Sequence, residues 1–244
     1  MTHFPLTPLP CRFKHGVPLT SLTLIDATTS AGSANVTAPS AIEAGDLLVF
    51  CDFNIKTSPA GLATVVIPSG FTQKLQSDID TARRWVFSTK IPTGAEDSAT
   101  LTGSSAGNFN MGKACLQFRG NRAIATVGSA TNPIYSPGTG VGDGTGATPA
   151  GVTSGNPVGP VIVVSGAPAL VLAFYHNTGN NSASVIDPRS FTAAKDGDQG
   201  VNGSGSGAAA YYMAWKFMTA TDNILIDQDD EGQGGLGGFF LPLT

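Results

Sequence analysis

The phrase Ala44-Gly45-Asp46-Leu47-Leu48-Val49-Phe50-Cys51-Asp52-Phe53 returns half a chain later as Gly166-Ala167-Pro168-Ala169-Leu170-Val171-Leu172-Ala173-Phe174-Tyr175. In each copy a small-residue turn opens into an apolar run too short for a comfortable helix. The first run ends in alternation, with Phe50 and Asp52 on one face and Cys51 and Phe53 on the other. This predicts a strand buried at its start and half exposed at its end. An echo on this scale restricts the chain to two copies of one unit.

The flanking stretches echo in the same order. Ile67-Pro68-Ser69-Gly70-Phe71-Thr72 returns as Asp187-Pro188-Arg189-Ser190-Phe191-Thr192, and Trp85 to Thr93 returns as Tyr211 to Thr219 with Lys90 matched by Lys216. Ser98 to Leu101 is matched by Asn223 to Ile226, and Leu116-Gln117-Phe118 by Phe239-Phe240-Leu241. The separation stays near 120 to 126 residues throughout. Within the first copy, strands are expected over 21–27, 33–38, from Leu47, 62–67, 71–75, 82–91, 98–102 and 112–118. Short strands at this spacing, with no helical period between them, predict an all-β fold of two tandem antiparallel β-sandwich, jelly-roll-like units. The expected divisions are an extended N-terminal arm over 1–20, a first sandwich over 21–121, a Gly/Pro-rich connection over 122–157 and a second sandwich over 158–244. Leu48, Phe50, Trp85, Phe87, Leu116, Leu172, Phe174, Trp215 and Phe217 are expected to contribute to the cores. Gly197 to Gly207 reads as a loop tip.

Composition supports the class. Charged residues are 12% of the chain while hydrophobic residues are 41%, so a core can form without charged amphipathic helices. The net charge of −4 gives no clustered cations for nucleic acid. Pro5, Pro8 and Pro10 interrupt the N-terminus and argue against a secretory signal. The longest apolar run, around Leu170, is about nine residues against the ~20 of a spanning helix, so no membrane partner is expected. Cys51 and Cys115 read as buried thiols, with a disulfide between them as the alternative.

The first 20 residues hold four prolines with Phe4, Leu6, Leu9, Phe13, Val17 and Leu19 among them. Proline at this density favours extended chain, and a solvated linker has no use for six apolar side chains. The arm is therefore a candidate assembly element, set against a frayed terminus.

Several phrases together carry a resemblance. They are Ala44-Gly45-Asp46 before Leu47-Leu48-Val49, Pro68-Ser69-Gly70-Phe71-Thr72, Trp85-Val86-Phe87, Leu116-Gln117-Phe118-Arg119-Gly120, and Asn132-Pro133-Ile134 at the joint between halves. The set resembles the tandem β-sandwich virion structural proteins of tailed bacteriophages and prophages, from about residue 21 to the end. The chain departs from that pattern with Phe71 where Trp is usual and with a degraded second copy at Pro188-Arg189-Ser190. The resemblance implies a virion location and, as partners, other capsid or tail proteins and copies of the chain itself.

Chemistry is sparse. The three histidines are His3, His15 and His176, and nothing beside His176 resembles a nucleophile elbow. Asp227, Asp229 and Glu231 are the candidate calcium ligands, but the twelfth position of an EF-hand loop is Gly238 where a Glu is needed. A solvated turn is the plainer reading. Asp78-Ile79-Asp80 and Asp196-Gly197-Asp198 fall at equivalent places without a reason to pair as glycosidase carboxylates. Gly232-x-Gly234-x-x-Gly237 leads into a strand rather than a helix, which rules out a dinucleotide turn. Arg83-Arg84-Trp85 and Tyr211-Tyr212 are set as a sugar surface against the core role usual for aromatic strand residues. No catalytic residue and no cofactor is therefore expected. The expected function is a non-enzymatic virion protein on the particle exterior, such as a capsid decoration protein. Its rival is a tail-associated adhesin that binds host-surface carbohydrate.

Overall fold

The computed structural model describes residues 17–31, 35–55, 64–78, 83–94, 98–104, 111–136, 161–177, 192–199, 209–225 and 234–244. These residues form fourteen strands and no helix. In chain order they are β1 (Leu22–Ala31), β2 (Asn35–Thr37), β3 (Leu47–Ile55), β4 (Thr72–Asp78), β5 (Arg83–Lys90), β6 (Thr100–Thr102) and β7 (Met111–Gly120), then β8 (Thr131–Ser136), β9 (Val161–Val164), β10 (Ala169–Asn177), β11 (Thr192–Gln199), β12 (Ala209–Met218), β13 (Asp222–Leu225) and β14 (Gly234–Pro242).

All pairings are antiparallel. One five-stranded sheet runs β1-β7-β3-β5-β4 and the other β11-β12-β10-β14-β8; β2 with β6 and β9 with β13 make two small sheets. Read from its β8 edge, the second large sheet has the order of the first with every label advanced by seven. The register repeats as well: Leu47 faces Phe118 as Leu170 faces Leu241. Thr72 faces Thr89 as Thr192 faces Trp215, and each of these pairings is followed by a bulge, at 73–75 and at 193–195.

The alternation of β3 decides what covers each face. Leu47, Val49, Cys51 and Phe53 point one way and Leu48 and Phe50 the other, into different clusters. The larger cluster is built by both five-stranded sheets: Trp85, Phe87, Leu116 and Phe118 from the first meet Leu170, Leu172, Phe174, Phe239 and Leu241 from the second. Trp85 stacks on Phe53 and lies 4.9 Å from Phe174 between ring centroids, while Phe87 meets Phe239 edge-on at 4.8 Å. On its other face the first sheet places Leu48, Phe50 and Cys115 against Val36 of β2 and Leu101 of β6. The second sheet places Val171, Ala173 and Phe240 against Ile162 and Val164 of β9 and Ile224 of β13. A strand covered on both faces has no solvent side, so β3 stays apolar on both faces at its start.

Several expectations are corrected. The far end of β3 is not half exposed: Asp52, Phe53 and Asn54 are all buried. Residues 64–67 of the expected 62–67 strand lie outside any strand, while 197–199 of the expected loop tip belong to β11. The stretch Thr131–Ser136, expected within a connection, is the edge strand β8 on β14. Pro133 is tolerated there because an edge strand leaves alternate backbone donors unused. Cys51 and Cys115 are buried free thiols as expected; they lie on opposite faces of the first sheet, and the alternative disulfide does not join them. Trp215 and Phe217 are only partly buried, packed at the margin of the shared cluster.

Candidate functional site

The covered face of the first sheet carries two polar clusters. At one end, the turn before β3 presents Asp46. Gly45 has φ +86°, and a Cβ there would stand 2.5 Å from the Cβ of Ala123. Its backbone donates to the Pro92 carbonyl and accepts from the Ile124 amide, so only glycine fits this crossing of three segments. Asp46 then meets Arg119 at the end of β7: Arg119 Nε donates to Oδ1 and Nη2 to Oδ2, each at 2.8 Å. Gln117 Nε2 donates to the same Oδ2 at 2.8 Å, and the Glu43 amide at 2.9 Å. Arg119 also donates to the Ala41 carbonyl and pairs with the exposed Glu43. Burial raises the Asp46 carboxyl, but donors from Arg119, Glu43 and Gln117 outweigh it and hold the group below its ordinary range. Donating to Asp46 raises the Arg119 guanidinium above its ordinary value and keeps it charged. These contacts join the Ala-Gly-Asp and Arg-Gly phrases, 73 residues apart.

At the other end of the same face, Asp52 on β3 faces Lys113 on β7, with Nζ 3.3 Å from Oδ1 and both side chains excluded from water. Asn54 Nδ2 donates to the same Oδ1 at 3.1 Å, and the Ser104 amide donates to Oδ2 at 2.8 Å. Ser104 Oγ in turn accepts from the Val66 amide. Burial pushes the Lys113 ammonium below its ordinary value, against the opposing pull of Asp52. Asn54 Oδ1 is buried without a hydrogen-bond partner. Sequence reading put Lys113 in its alternating strand and gave it no role. Two opposite charges in strands otherwise apolar were the signal.

The other candidates separate. Phe4, Leu6, Leu9 and Phe13 of the arm lie outside the described residues, as do Asp227, Asp229 and Glu231. Val17 is 64% exposed, but Leu19 is buried in the shared core. Asn121 fixes that end of the arm by accepting from the Thr20 and Ser21 amides and donating to the Pro18 carbonyl. Trp85 is core and no part of a sugar surface. His176 on β10 pairs with Tyr211 on β12 in the ladder. Register matches Asp78 with Asp198 rather than Asp196, on different sheets. Cys115 is pushed up to about 12 by burial and Cys51 is also raised, so neither is a ready nucleophile. Among the described residues no group of three His, Cys, Asp or Glu is placed to hold a metal ion, and no helix is long and apolar enough to cross a membrane. Compared with known proteins, the chain matches no protein-family model, no curated protein and no solved structure.

Proposed function

We propose that the chain is a non-enzymatic structural protein of a bacteriophage particle, built as two tandem β-sandwich units and displayed on the exterior as a capsid decoration or accessory protein. The observation that carries this reading is the clamp between Asp46 and Arg119. It gives a physical reason for two of the phrases on which the resemblance to virion β-sandwich proteins rests, since each supplies one half of an ion pair. The two-unit reading draws on the repeated strand order and on bulges at matching places in β4 and β11. Each unit would be one five-stranded sheet with its two-stranded cover, the pair joined through the open faces of the large sheets. The partners are other virion proteins and further copies of the chain, engaged through protein contacts.

The test is to purify particles of the phage or prophage that encodes the chain, quantify it by peptide mass spectrometry and reconstruct the particle. The reading expects the chain in a fixed ratio to a capsid or tail protein, with density on the outer surface. A chain missing from purified particles contradicts it.

A further inference from the structure

We propose that Lys113 and Asn54 are the partners of an intramolecular amide cross-link between β7 and β3, with Asp52 as the proton relay, because both side chains converge on one oxygen of the same buried carboxylate. Nζ of Lys113 and Nδ2 of Asn54 stand 3.3 Å and 3.1 Å from Asp52 Oδ1. All three side chains are buried. Gly103 closes the group: a Cβ there would come within 2.8 Å of Lys113 Cε, 2.8 Å of Phe50 Cζ and 3.0 Å of Asp52 Oδ2. An aromatic ring and a glycine backbone thus wall the amine against the carboxylate, where water cannot compete for the amide carbon.

The step balances within the three residues. The Lys113 ammonium, which burial pushes below its ordinary value, gives one proton to Asp52 across the 3.3 Å contact. The neutral amine attacks Asn54 Cγ, and the Nζ–Cγ bond forms. With the Asn54 amide turned so that its oxygen, now without a partner, faces protonated Asp52, that acid supports the charge developing on the oxygen. Asp52 takes the second amine proton as it returns the first to the departing nitrogen. The Cγ–Nδ2 bond breaks and ammonia leaves. No oxidant or further reactant is needed. A bond to Asp52 itself would consume the relay and expel an oxygen that needs two protons. The product replaces the lysine end of a buried ion pair with a neutral amide, which lightens the desolvation burden of two buried charges.

The second half supplies an internal control. Its residues in the register of Asp52 and Lys113 are Tyr175 and Leu236, which offer neither amine nor relay. The link is therefore expected only in the first half, where it fastens two neighbouring strands against separation and closes the chain from Asn54 to Lys113 into a loop.

Mass spectrometry of the intact, denatured full chain tests this. The expected mass is that of the sequence less one ammonia. Peptide mapping is expected to give a branched peptide joining the Asn54 and Lys113 segments, with trypsin unable to cut after Lys113. Asn54→Ala is expected to restore the full mass, and Asn54→Asp to lose one water in place of ammonia. A parent chain at full sequence mass overturns the proposal, whatever the variants do. So does a loss of ammonia without the branched peptide, or a loss of water with the branch at Asp52.

Discussion

The two halves set the same strand order on different chemistry. In the first, the ends of β3 and β7 are tied by Asp46 with Arg119 and by Asp52 with Lys113. In the second, the residues in the same register are Ala169 with Pro242 and Tyr175 with Leu236. There Val171, Ala173 and Phe240 pack on Ile162, Val164 and Ile224. The fold thus does not need the ion pairs to choose its topology. A buried pair of charges often contributes no more stability than apolar residues of the same volume. What the first half gains is a fixed polar arrangement under its cover.

The largest effect is expected where the two halves meet. Trp85→Ala should lower the unfolding free energy by about 3–5 kcal/mol, measured by urea titration, because the indole packs on Phe53, Phe87 and Phe174 at once. A loss under about 1 kcal/mol would move Trp85 out of the shared core.

Next is the charge contrast itself. In an Asn54→Ala background, where no cross-link can form and the ion pair is kept, Lys113→Leu leaves Asp52 buried without its cation and should cost about 3–5 kcal/mol. Adding Asp52→Tyr copies the pair found in the second half and should recover part of that loss. If the double variant is no better than the single one, the second half is not a working template for the first.

Leu19→Ala should cost about 2–4 kcal/mol, while Val17→Ala should stay within about 0.5 kcal/mol. The two residues sit two apart, one in the core and one in solvent. Equal effects would erase the boundary between arm and core.

The smallest of these is a pH effect. Asp46 has a folded pKa below its unfolded value of about 3.9, so its contribution is complete above that value and is lost as pH falls through the lower, folded one. Arg119→Ala should cost about 1.5–3 kcal/mol at neutral pH and should flatten the loss of stability seen on acidification. Parallel pH profiles for parent and variant would contradict the clamp.

Alternation made much of this legible. It set Leu116 and Phe118 against Cys115, as the structure does. It said which residues share a face but not what covers that face. Leu48 and Trp85 were therefore both expected to be buried without being assigned to separate clusters, although they occupy opposite faces of one sheet. The strand β8 was hidden because Pro133 and a following Gly-rich stretch outweigh Ile134 and Tyr135 in local propensity. The Lys113 site was hidden for a different reason: only strand register brings it to Asp52, and register is set by pairing across the whole unit.

The central claim is that the two large sheets share one core. A double-mutant cycle on Trp85→Ala and Phe174→Ala tests it most directly, since these rings touch only if the sheets pack face to face. The account predicts a coupling energy of about 0.5–3 kcal/mol. Losses that simply add, to within about 0.3 kcal/mol, would mean that each half keeps its own core and the sheets do not meet.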